Sequence, residues 1–127
     1  MKLLLFLLSL FLVSPVMAKD PECSMINECM DRAQQGDPDA QYYLGSEFFN
    51  SENYKEALVW FLRAADQGHM RAQYNLGSMY SKGQGTVQNF NEAVSWYRLA
   101  ADQGEPLSMY NLALHLLHGE GVERDPN

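Results

Sequence analysis

Small and apolar residues recur along this chain at helical spacing, and they recur in sets. Ala40, Leu44 and Phe48 stand at i, i+4 and i+8, and Ala72, Leu76 and Tyr80 repeat them. Between these runs lies a second stripe, Ala57, Trp60, Phe61 and Ala64, which is answered by Ala93, Trp96, Tyr97 and Ala100. Such stripes mark the buried faces of amphipathic helices. The pattern predicts helices near 22–35, 38–49, 53–67, 69–81, 89–103 and 105–118. Punctuation agrees. Asp37-Pro38 and Glu105-Pro106 put proline at a first helical position. Asn53 and Asn89, each with glutamate three residues on, read as capping boxes. Gly68 and Gly104 follow Ala-Ala-Asp-Gln, where a helix ends in a left-handed residue. Gly45 and Gly77 fall mid-helix, where glycine costs about 1 kcal/mol against alanine. Placing glycine there twice predicts a neighbouring helix too close for a Cβ.

The sets form a tandem repeat. Ala40-Gln41-Tyr42-Tyr43-Leu44-Gly45 returns as Ala72-Gln73-Tyr74-Asn75-Leu76-Gly77 and, looser, as Ser108-Met109-Tyr110-Asn111-Leu112-Ala113. Ala57 to Ala93 and Ala72 to Ser108 are both 36 residues, while Ala40 to Ala72 is 32. The shortfall is in a loop: Lys82 to Val87 and His118 to Val122 carry Gly-x-Gly, where the first unit has only Asn50-Ser51-Glu52. Repeats of this length are supersecondary units that cannot bury an apolar face alone and must stack. The expected fold is all-α, a solenoid of antiparallel helix pairs with about six helices. Its divisions are an N-terminal capping helix at 19–36, repeats at 37–68 and 69–104, and a partial repeat at 105–127.

These phrases resemble the Sel-one-like repeat family, relatives of the tetratricopeptide repeats. Unit two, Ala72 to Gly104, matches the family pattern nearly throughout, with Thr86 inserted before Val87. Unit one lacks the glycine loop, and unit three has Ser108 for alanine and Ala113 for glycine. The resemblance covers roughly residues 36–127. It implies helix pairs wound into a right-handed superhelix and adaptor roles in protein complexes, often in envelope or secretory compartments. It implies no common enzymatic reaction and no cofactor.

The first 18 residues change the picture. Lys2 precedes an apolar run from Leu3 to Val13, a Ser14-Pro15 break, and Val16-Met17-Ala18 with small residues before the expected cleavage point. This is the layout of a secretory signal peptide over 1–18, with an apolar core shorter than the ~18 residues a span requires. A periplasmic or secreted protein is expected, with no membrane span after cleavage. The full chain carries 9 basic and 16 acidic side chains, net −7. Removing residues 1–18 takes away only Lys2, leaving 8 against 16, net −8. That balance argues against nucleic acid and anionic membranes as partners and fits a basic protein or peptide.

The chain's only cysteines are Cys23 and Cys29. An oxidising compartment favours a disulfide. Six residues along one continuous helix would separate them by roughly 9 Å of rise, beyond disulfide reach, so a bridge requires the helix to begin after Cys23. An intramolecular bridge, free thiols and an intermolecular link all remain open at this point. No metal site is expected: two cysteines without a nearby histidine make a poor zinc site, and His115 and His118 lack a third ligand and are expected at the surface. Catalytic residues are not expected either. The Ser-x-x-Lys and Lys-Thr-Gly of β-lactamases are absent, and no triad can be assembled from the spacing.

First helices of such solenoids face the concave side. There Tyr42, Ser46 and Phe49 form a stripe, repeated as Tyr74, Ser78 and Ser81, then as Tyr110, Leu114 and Leu117. These nine are the expected partner-binding residues. The helix predicted at 105–118 is apolar nearly all round, which predicts cover by another chain or by a homodimer mate. The sequence therefore reads as an exported interaction or adaptor module, with an immunity or inhibitor protein as the sharper version. The alternative from another class is a secreted hydrolase of the β-lactamase or penicillin-binding type.

Overall fold

The computed structural model describes residues 26–122. It contains six helices and, among the described residues, no strand: α1 (Ile26–Gln34), α2 (Pro38–Asn50), α3 (Tyr54–Asp66), α4 (Met70–Lys82), α5 (Phe90–Asp102) and α6 (Pro106–His118). Each helix packs on the next in the chain, and α4 also touches α6. This is an all-α solenoid of antiparallel pairs. The last five helices begin and end within about a residue of the sequence expectation. The expected signal peptide and Cys23 lie outside the described residues.

Local chemistry explains the boundaries. Asp37 caps α2 by accepting from the backbone N–H of Asp39 and Ala40. Glu105 does the same for α6 through Leu107 and Ser108 N–H. Asn89 caps α5 by accepting from Glu92 N–H. Asn53 departs from expectation and makes no side-chain cap. The connection before it is only Ser51 to Asn53, and closing it ties Asn53 N–H to the Phe48 carbonyl at 2.9 Å. That leaves Asn53 at φ −85° and ψ 71°, outside the extended backbone a capping side chain needs. The same tight turn forces Glu52 to φ 60°.

The mid-helix glycines have the predicted cause. A Cβ on Gly45 would lie 2.6 Å from the Phe61 ring, and one on Gly77 would lie 2.6 Å from the Tyr97 ring. The second helix of each pair thus lays an aromatic face directly on the first. One core gathers Cys29, Ala33, Ala40, Leu44 and Trp60. The next gathers Ala57, Phe61, Ala64, Ala65, Ala72, Leu76 and Met79.

Polar joints tie helices together within and between units. Gln41 donates to the Ala33 carbonyl at 3.0 Å and accepts from Gln67 at 2.8 Å. One repeat on, Gln73 donates to the Ala65 carbonyl at 3.3 Å and accepts from Gln103 at 2.7 Å. Both Gln41 and Gln73 are buried, so these bonds satisfy amides that would otherwise be costly. In the third unit Met109 takes this place. At the opposite ends of the helices the glycine loops dock on the preceding unit. A Cβ on Gly85 would meet the Tyr54 carbonyl oxygen at 2.5 Å. Gly121 approaches the carbonyl of Phe90 in the same way.

Candidate functional site

A cleft of about 230 Å³ opens between α2, α3 and α4, lined by Tyr42, Ser46, Phe49, Asn50, Phe61, Asn75 and Ser78. Helical spacing puts Tyr42, Ser46 and Phe49 on one face of α2, and Asn75 and Ser78 on a facing turn of α4. Phe61 forms part of the lining and is itself pinned in the core, 1% exposed. Around this floor Tyr42 lies 5.8 Å from Phe61, and Phe49 meets Tyr54 edge-on at 5.1 Å. Ser46 donates to the Tyr42 carbonyl, as a helical serine without another partner does. The Asn50 and Asn75 side chains bring amide donors and acceptors to an otherwise aromatic and hydroxyl surface. Four of the nine sequence-expected residues meet here: Tyr42, Ser46, Phe49 and Ser78.

The other five are elsewhere. Tyr74 stacks obliquely on Tyr97, with centroids 6.0 Å apart. Tyr97 is buried, and its phenol is pushed up to about 12 by burial, against a hydrogen bond with Ser78 and alongside the nearby Tyr74. Ser78 therefore links the cleft to the α5 aromatic. Tyr110 and Leu117 on α6 are well exposed, 63% and 81%, with Leu114 half-buried. They do not line the cleft. Ser81 binds a histidine.

That histidine corrects the sequence reading. His115 was expected at the surface, but it takes the repeat position of buried Met79 and is buried like it. It is 9% exposed, with ring centroids 5.2 Å from Phe90 and 5.8 Å from Tyr97. Its Nε2 lies 3.2 Å from Ser81 Oγ and its Nδ1 lies 2.9 Å from Glu120 Oε2. Spacing alone offers no triad, because these three residues converge only when α6 folds back along α4 and the loop after α6 turns under it.

His69 is a second histidine with an unforeseen place. Its Nδ1 accepts from Ala72 N–H at 3.2 Å and caps α4, its ring stacks on Tyr42 at 4.6 Å, and its Nε2 faces Asp39 at 3.3 Å. Burial holds its imidazole below the usual range, with the Asp39 carboxylate acting the other way. Arg32 grips Asp37 through both Nε and an Nη, at 2.9 and 2.6 Å, and so joins α1 to the cap of α2. The Asp37 carboxyl is lowered: burial pushes it up, but the Arg32 hydrogen bond, the cap N–H groups and the Arg32 charge outweigh that. Cys29 is fully buried and disulfide-bonded. Among the described residues no helix is long and apolar enough to cross a membrane.

Comparison with known proteins bears on this arrangement. The Sel1 repeat profile matches three times, at residues 38–69, 71–105 and 106–127. A crystal structure of a protective antigen from uropathogenic Escherichia coli strains, displaying an SLR fold, is similar at 34% identity and a TM-score of 0.75, over 81% of this chain and 23% of that one. A Sel1 repeat protein from Oxalobacter formigenes is similar at 36% identity and a TM-score of 0.68, over 72% of this chain and 39% of that one. The chain thus spans well under half the length of both. No curated protein sequence matches it.

Proposed function

Because the chain belongs to the Sel1 repeat family, whose fold serves interactions between proteins and is typically non-catalytic, we propose that it holds a protein partner in the cleft between α2, α3 and α4. The observation that supports this reading is the make-up of that cleft. Tyr42, Phe49 and Phe61 offer ring faces while Ser46, Asn50, Asn75 and Ser78 offer hydrogen bonds. Rigid aromatics flanked by side-chain amides suit a peptide, because they pack its side chains and satisfy its backbone together. The net charge of −7 favours a basic ligand. Of the remaining expected residues, Tyr74 sits one turn before Ser78 on α4, where a longer ligand would reach it, while Ser81, Tyr110, Leu114 and Leu117 lie away from the cleft.

The finer reading is of an exported immunity or inhibitor protein. Residues 1–18 direct it to the periplasm or beyond, and in that oxidising setting Cys23 bridges Cys29 within the chain. Capture from an envelope extract by the purified chain tests the whole. Ser78→Trp fills the cleft from α4 and gives up the Ser78 bond to Tyr97, so a thermal melt read by circular dichroism accompanies it to show that the helices persist. Loss of the captured protein in that variant is the expected result, and a partner retained at full affinity overturns the assignment. N-terminal sequencing of the cell-derived protein reads the cleavage after Ala18. A non-reducing peptide map carrying Cys23 linked to Cys29 reads the bridge.

A further inference from the structure

Three side chains that the interaction reading does not need are joined in one line. Ser81 comes from the last turn of α4, His115 from the last turn of α6, and Glu120 from the loop beyond it. A carboxylate only accepts, so His115 Nδ1 carries the proton that bonds Glu120 at 2.9 Å. In the neutral imidazole Nε2 is then a lone pair, and the group in front of it is the Ser81 hydroxyl at 3.2 Å. Phe90 and Tyr97 flank the imidazole and keep water from competing for it. Several other serines differ. Ser46 and Ser95 within helices, and Ser51 just past α2, each donate to the carbonyl four residues back at 3.0 Å, whereas Ser81 Oγ lies against a ring nitrogen.

We propose that Ser81 is an activated nucleophile, with His115 as its general base and Glu120 as the positioning residue, able to take the acyl group of activated aryl esters. Ser81 and Glu120 are only partly buried, so a carbonyl can approach the hydroxyl while the histidine stays shielded. Ser81 Oγ bonds to the ester carbonyl carbon as its proton passes to His115 Nε2. The tetrahedral adduct then expels the aryl oxide, which takes that proton. Water repeats the sequence on the acyl-serine, releasing the carboxylic acid and restoring the hydroxyl. The Gln88 side chain spends one N–H on the Ser81 carbonyl at 2.9 Å and has a second available for the oxyanion. The last turn of α4 itself presents carbonyls rather than N–H groups, which confines the chemistry to esters with good leaving groups.

The test uses the full chain with a fluorophosphonate probe, whose fluoride a reactive serine displaces, and with p-nitrophenyl acetate. The expected adduct maps to Ser81 by peptide mass spectrometry. Ser81→Ala, which keeps the helix, removes the adduct and lowers ester hydrolysis about 100-fold. His115→Gln risks the core, so Glu120→Gln serves instead. It slows labelling about tenfold or more and displaces its pH profile, which a purely structural contact would not do. Labelling spread evenly over the serines, an unchanged rate in Ser81→Ala, or an unchanged pH profile in Glu120→Gln overturns the proposal. None of these outcomes depends on a partner in the α2–α4 cleft.

Discussion

At the scale of single residues, the third unit contains a misfit. Ser108 occupies the position that Ala40 and Ala72 fill in the other units; it is fully buried, and its hydroxyl has no hydrogen-bond partner among the described residues. An unsatisfied buried hydroxyl costs its desolvation with nothing in return. Ser108→Ala is therefore expected to stabilise the chain by about 1 kcal/mol, read as a rise in the urea midpoint. His69 gives a pH dependence of definite sign. Its cap on α4 needs an unprotonated Nδ1, and its folded value lies below the usual 6.5. The unfolded chain therefore binds this proton first as pH falls. The contribution of His69 is complete above about 6.5 and is lost as pH drops through the depressed folded value. Urea melts at pH 7.5 and 5.5 should show the loss, and His69→Asn, which can cap without titrating, should flatten it.

At the scale of elements, glycine on the first helix and an aromatic ring on the second act as one unit. Gly77→Ala gains up to about 1 kcal/mol of helix propensity but drives a Cβ into the Tyr97 ring, and overpacking of that kind costs about 1–3 kcal/mol. The expected balance is a loss of about 1 kcal/mol or more. A double-mutant cycle with Tyr97→Ala should show strong coupling between the two sites. This pairing was legible in the sequence, because an expensive residue recurred at the same register as a recurrent aromatic. The glutamine joints were visible as recurring letters without a meaning, since only the stacked geometry brings Gln103 to Gln73. Asn53 was misread because a cap motif records composition, whereas capping depends on dihedrals that the short turn at Ser51 to Asn53 does not allow. His115 was misread because nothing near it in sequence showed that Ser81, 34 residues earlier, would be brought to its ring. The cleft was half legible: the α2 stripe was found, but Asn50 does not recur across the units, and Asn75, which recurs as Asn111, lies outside the Tyr-Ser stripe.

At the scale of the whole molecule, α6 ends the described stack with an uncovered side. Leu107, Met109, Tyr110, Leu116 and Leu117 are all more than 40% exposed there. Tyr42 and Tyr74, the equivalents of Tyr110, are each covered by a ring from the following helix. A second copy of the chain on this side is the expected occupant in the purified protein. Sedimentation should give a dimer that Leu117→Glu dissociates, while thermal stability of the protomer holds, because Leu117 is 81% exposed within it. A monomer at all concentrations would remove this expectation.

The joint between the first and second repeats is fastened at both ends. Gln73 and Gln103 bond across it to the Ala65 and Gly68 carbonyls at one end, and at the other the Gly85 loop presses against the backbone of Tyr54. A stack hinged at one edge would open like a book under load. One clamped along two edges resists both bending and torsion. Pulled from its termini, this chain should give up that joint last and in one abrupt step, rather than stretch as a soft spring.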